Sequence, residues 1–219
     1  MLNHLLIIFI TFALVSTAHA GPWLREKGTT FTAVSVATTY YLDTSNQTYL
    51  EYGLTDKTTL VGDLSMIHLR NAPQSGYATV SLRRALSKPD AASKLAYEIG
   101  VRVGWIGEYT LPHLRTGLSW GRGIKWGEIS GWATVEASAI WDLTHSNHIA
   151  KLDMTLGMKF TDVTKGMFQL YVAEIAGEAI APSLVFTPKE RKFSIQVGAE
   201  AQIGNMQNSA LKLGLWREF

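Results

Sequence analysis

From about Thr29 to the last residue, apolar and polar residues alternate with a period of two, rich in Val, Ile, Thr, Tyr, Phe and Trp. The alternation predicts strands over 29–41, 46–55, 58–69, 76–87, 94–106, 112–120, 129–142, 148–160, 165–177, 180–188, 191–203 and 208–219. Most reach roughly the nine to eleven residues that a tilted strand needs to cross the hydrocarbon core of a bilayer. The segment 180–188 is the shortest, and a ten-stranded arrangement is the alternative if it or a neighbour fails. Turn residues separate the strands: Thr55-Asp56-Lys57, Ser87 to Ser93, Thr161 to Lys165 and Pro188 to Arg191 close hairpins after even-numbered strands. Leu69 to Ser75, Gly107 to Pro112 and Asp142 to His148 form short loops at the opposite end, while Trp120-Gly121-Arg122-Gly123 with Trp126-Gly127 reads as a flexible turn.

The two faces of each strand differ in kind. In 94–106, Leu95, Tyr97, Ile99, Val101, Val103 and Trp105 share one face, and Ala96, Glu98, Gly100, Arg102 and Gly104 share the other. Segments 148–160 and 191–203 repeat the pattern, with Lys151, Asp153 and Lys159, or Gln196, Glu200 and Gln202, opposite the apolar set. A soluble lipocalin-like barrel shares such alternation, but three features favour lipid outside. Trp105, Trp120, Trp141, Tyr97 and Phe219 fall near the ends of apolar faces, as in the aromatic girdles of membrane barrels. The polar face carries Gly53, Gly100, Gly104, Gly117, Gly157 and Gly198, which suits a crowded interior. The chain ends in Leu211, Leu213, Leu215 and terminal Phe219 at period two, a terminus that a soluble barrel does not need. The expected fold is therefore all-β: an antiparallel transmembrane β-barrel of about twelve strands, closed because lipid offers no partner to an open edge. Arg84 and Arg217 fall on the apolar face near a strand end, where interfacial charge costs little, and Glu174 suggests a bulge or a shifted register in 165–177.

Composition narrows the class. Residues 1–20 hold an apolar run, Leu5 to Val15, followed by Ala18-His19-Ala20; this reads as a signal peptide cleaved before Gly21, with an uncleaved anchor as the alternative. Residues 21–219 then form one barrel domain without a linker. The absence of cysteine excludes disulfides, thiolate metal sites and a cysteine nucleophile. A net charge of +2 without a basic stripe gives no sign of a nucleic-acid partner.

The segment YLEYGLTDKTTLVGDLS, residues 49–65, resembles the strand–turn–strand hairpin of outer-membrane barrels. The ending LKLGLWREF is similar to the C-terminal signal strand read by the barrel-assembly machinery. With GPWLREKG after the cleavage point, the chain resembles a family of small proteobacterial outer-membrane β-barrels for which no catalytic residues are known. The resemblance implies the outer membrane of a Gram-negative cell, contact with outer-membrane lipid and passage through the assembly machinery, with Leu211, Leu213, Leu215 and Phe219 as the signal.

The expected interior carries Glu51, Asp63, Arg83, Glu98, Arg102, Arg115, Glu136, Lys151, Asp153, Lys159 and Glu200. Buried charges at this density must pair or stay hydrated. They form either a salt-bridge network filling a narrow barrel or the lining of a hydrated pore, and Arg83, Glu98, Arg102 and Arg115 could form a ladder that attracts anions. The expected function is a narrow channel or transporter for small polar solutes; the alternatives are a lipid-modifying hydrolase and a sealed structural barrel. For the hydrolase, His145-Ser146-Asn147-His148 offers His, Ser and Asn, but neighbours in one loop rarely converge. His68 with Ser81 is a weaker pair. Asp142, His145 and His148 lack a third convincing metal ligand. No catalytic residue, metal or cofactor is assigned.

Overall fold

The computed structural model describes residues 21–145, 147–174 and 177–219. The expected signal peptide and Ser146 of the His145–His148 cluster lie outside the described residues. Twelve antiparallel strands close into a barrel: β1 Thr30–Thr39, β2 Thr44–Thr55, β3 Thr58–His68, β4 Ser75–Ala85, β5 Ser93–Ile106 and β6 Tyr109–Trp126, then β7 Ile129–Asp142, β8 His148–Lys159, β9 Thr164–Ala173, β10 Gly177–Phe186, β11 Phe193–Gln202 and β12 Asn205–Glu218. Each strand pairs with its sequence neighbours, and β1 pairs with β12 from Phe31↔Glu218 to Thr39↔Ala210. The backbone of Phe219 exchanges hydrogen bonds with Thr30, 2.9 and 3.2 Å, so the terminal residue completes the ring.

The alternation translates into an inverted barrel. Val34, Val80, Val101, Leu118, Leu156, Leu184 and Leu213 point outward and are exposed, while Ser35, Gln47, Glu51, Ser81, Arg83, Gln169, Gln196 and Lys212 point inward and are buried. A water-soluble barrel would reverse this, because exposed apolar area of that extent drives association in water. Trp120, Trp141, Tyr97 and Phe219 sit on the outer face as expected. Arg84 and Arg217 also take outward positions, near the end of the barrel that carries the chain termini.

Three local readings are corrected. The Trp120–Gly127 segment is not a flexible turn. Strand β6 runs unbroken to Trp126, paired with β7 from His113↔Asp142 to Trp126↔Ile129, and the turn shrinks to Gly127-Glu128, with Gly127 at φ +60°. Beyond Arg122↔Ser93 the strand outruns β5, while β7 stays paired with β8 to Ser130↔Lys159. The likewise short Gly107-Glu108 turn replaces the longer loop expected there. Glu174 marks no bulge: β9 pairs with β10 without a break, and Glu174 lies in the turn after it, its amide donating to the Ala150 carbonyl.

The nine residues before β1 do not leave the barrel. The Arg25 amide donates to Thr59 Oγ1 at 3.0 Å, and Gly28 and Thr29 bond to Gly53. A Cβ on Gly53 would stand 2.0 Å from the Glu26 carbonyl oxygen, and one on Gly121 would meet Pro22 and Trp23 at 2.8 Å. Glycine at these two inward positions lets the segment 21–29 cross the mouth from β2 toward β6.

Replacing outward-facing Val101, 63 % exposed at midspan, with Arg is expected to cost about 2–4 kcal/mol in denaturant unfolding from lipid. A cost near zero would mean that this face is wetted rather than in contact with hydrocarbon.

Candidate functional site

The interior charges assemble because their strands put them at matching heights on one wall. Arg83 on β4 is the direct cross-strand partner of Glu98 on β5. Its Nη2 and Nε donate to Glu98 Oε2 at 3.0 and 3.1 Å, and its Nη1 donates to Glu51 Oε1 at 2.6 Å. Glu51 also accepts from Tyr49 and from Arg25 Nε, each at 2.6 Å, and Arg25 reaches Glu218 at 3.2 Å. On the other side, Glu98 accepts from Ser81 at 2.7 Å and from Arg115 Nε at 3.0 Å; Arg115 Nη2 then reaches Glu136 at 2.5 Å. Signs alternate along the whole chain: Glu218, Arg25, Glu51, Arg83, Glu98, Arg115, Glu136.

The alternation is what makes burial tolerable. Glu51 and Arg83 are 0 % and 2 % exposed, and an ion so enclosed persists only with its counter-ion and further hydrogen bonds in place. Glu136 faces Asp153 directly across β7 and β8, a like-charge pair. Arg115 holds the first and Lys151 the second, at 3.1 Å, which removes the repulsion. Asp63 accepts from Gln47 at 3.1 Å, and the Arg102 guanidinium lies 3.4 Å over the Tyr77 ring. Arg102 therefore stands outside the ion-pair chain rather than forming a ladder with its neighbours. Glu200 projects inward beside Lys212, whose strand pairs with its own through Gly198↔Lys212. Lys159 lies at the end of β8, bonded to Asp162 in the turn at 2.9 Å and away from the rest.

The facing wall is different in character. From β9 round to β1 it presents Ala179, Ala181, Gly198, Gly214, Ala33 and Ala37. Toward the termini it carries an apolar layer of Phe31, Met167, Val185 and Trp216, which Trp132 of β7 joins. Against the charged wall the space open to water is about 30 Å³, room for no more than a few water molecules. Below the apolar layer, at the termini end, a cavity of about 690 Å³ opens between the segment carrying Trp23 and Arg25 and strands β7, β9, β11 and β12.

Among the described residues the hydrolase candidates do not assemble. Ser81 is committed to Glu98 inside the barrel, and His68 lies at the far end of β3, where Ser81 pairs with Val61 instead. His145 Nδ1 contacts Asp142 Oδ2 at 2.9 Å, and His148 stacks on Trp141 at 5.2 Å. Among the described residues no group of three His, Asp or Glu could hold a metal ion. Lys212, Arg25, Trp132 and Trp216 were missed as interior residues. Parity does place Lys212, Trp216 and Trp132 inside, on the faces of Gly214 and Glu136, but nothing periodic marks Arg25.

These features define the protein as a β-barrel of the outer-membrane class. Its fold is similar to that of the KdgM porin, with a TM-score of 0.65 and 9 % identity over 86 % of this chain and 99 % of that one. An outer-membrane channel from Pseudomonas putida F1 is similar at TM-score 0.62 and 14 % identity, covering 93 % and 100 %. Outer membrane phospholipase A from Escherichia coli reaches 0.50 at 11 % identity, covering 95 % and 97 %. No family model matches the chain, and no curated protein matches it in sequence.

Arg83→Met should destabilise the barrel by about 3–5 kcal/mol, because Glu51 and Glu98 are left buried without their shared cation. Adding Glu51→Gln and Glu98→Gln to the same chain should recover part of that loss. Unfolding titrations of the three proteins check both statements, and an unchanged single variant would show that these groups are hydrated.

Proposed function

We propose that the protein is a narrow outer-membrane channel for small polar solutes, closed at rest by its own side chains and by the segment 21–29. The observation that carries this reading is the polarity of the lumen. It is lined by charges, amides and hydroxyls for most of its height, and among them Ser45, Ser65 and Ser138 Oγ have no partner among the described residues, which suits a bridging water. What blocks the path is a set of ion pairs, one apolar layer and nine residues of chain, all displaceable without breaking the barrel wall. The porin and the channel that share the fold support the reading at the level of architecture. In this proposal Glu51, Asp63, Arg83, Glu98, Arg102, Arg115, Glu136, Lys151, Asp153 and Glu200 line the path, with Lys212 added and Lys159 at its rim. A signal peptide over 1–20 directs export in a Gram-negative cell, and Leu211, Leu213, Leu215 and Phe219 present the assembly signal.

Planar-bilayer recording tests it. The refolded chain from Gly21 should give small, brief openings, and a chain lacking residues 21–27 should stay open longer with a larger current. Silence from both, with folding verified by heat-dependent electrophoretic mobility, would leave a sealed barrel instead.

A further inference from the structure

The cavity at the termini end has a use that the channel reading does not require. Its floor is apolar and aromatic, formed by Phe31, Trp132, Met167 and Trp216, while Lys165, Arg191 and Lys192 stand around it. These three cations make no ion pair among the described residues. Glu218, the cavity's acid, is engaged by Arg25, and Arg217 is stacked 4.4 Å over the Phe219 ring. The volume, about 690 Å³, lies in the range of small-molecule sites, and such sites combine apolar walls with a few placed polar groups.

From this arrangement we infer that the cavity is a binding site for a soluble organic acid with a flat apolar body, its carboxylate held by Lys165, Arg191 and Lys192 and its body against Trp132 and Trp216. Charge complementarity selects the anion, and the indole faces select an apolar body over a bare inorganic anion. Phe31, Trp132, Lys165, Met167 and Trp216 all occupy inward positions, so the occupant enters from the aqueous mouth rather than from the bilayer. The site depends on the barrel being folded and not on its conducting.

The test is calorimetric titration of the refolded chain from Gly21 in zwitterionic detergent with 2-naphthoate, alongside neutral 2-naphthylmethanol and inorganic phosphate. The expected result is saturable one-site binding of naphthoate, with clearly weaker binding of the other two. Arg191→Glu combined with Lys192→Glu alters an exposed turn and leaves the wall intact; it should lower naphthoate affinity by about tenfold or more. Four results would overturn the inference: no binding of naphthoate, equal binding of the neutral analogue, equal binding of phosphate, or an affinity indifferent to the charge reversal. The second would mean detergent partition and the third a simple anion patch. A fifth would do the same: phosphatidylglycerol in mixed detergent micelles competing with naphthoate for the same site, which would point to a bilayer lipid as occupant.

Discussion

Everything in this protein follows from the backbone's need for hydrogen-bond partners where the surrounding solvent supplies none. In hydrocarbon an open sheet edge would leave a row of amides and carbonyls unsatisfied at several kcal/mol each, so the first strand must meet the last. The pairing of β1 with β12, completed by Phe219 against Thr30, meets that need. Once the ring is closed, one face of every strand has to be apolar. The other face inherits the polar residues and must solve its own burial problem within a confined lumen.

The lumen solves it unevenly. Long charged side chains cluster on β2 to β8, and most of them neutralise one another in sequence around the wall, while Arg102 rests on the Tyr77 ring and Asp63 accepts from Gln47. The opposite wall contributes small residues and an apolar layer toward the termini. Polar packing and apolar closure thus occupy different heights of the same interior. The segment before β1 joins the two, since Arg25 extends the ion-pair chain while Trp23 walls the cavity.

How much of this was legible in the chain depends on whether a feature is periodic. Outward and inward sets could be read from parity alone, because a slip of one residue would put Arg83 or Glu98 into lipid. All twelve strands followed from the same alternation, but the β5–β6, β6–β7 and β9–β10 turns did not fall where it put them. Sequence alone ends strand β6 early because glycines between tryptophans resemble a turn, whereas pairing with β7 keeps them extended to Trp126. The partners of each charge could be foreseen only for direct neighbours such as Arg83 and Glu98. Links such as Arg83 to Glu51 span strands whose relative height depends on barrel shear, which no local pattern encodes. The inward course of GPWLREKG was invisible for a related reason: it has no period, and its contacts with Gly53 and Gly121 are tertiary.

The connections on the face away from the termini are all short, none longer than the 69–74 link between β3 and β4. A barrel trimmed in this way leaves almost no peptide at that end for another macromolecule to hold, so labelling the folded protein there calls for an epitope grafted into one of those links.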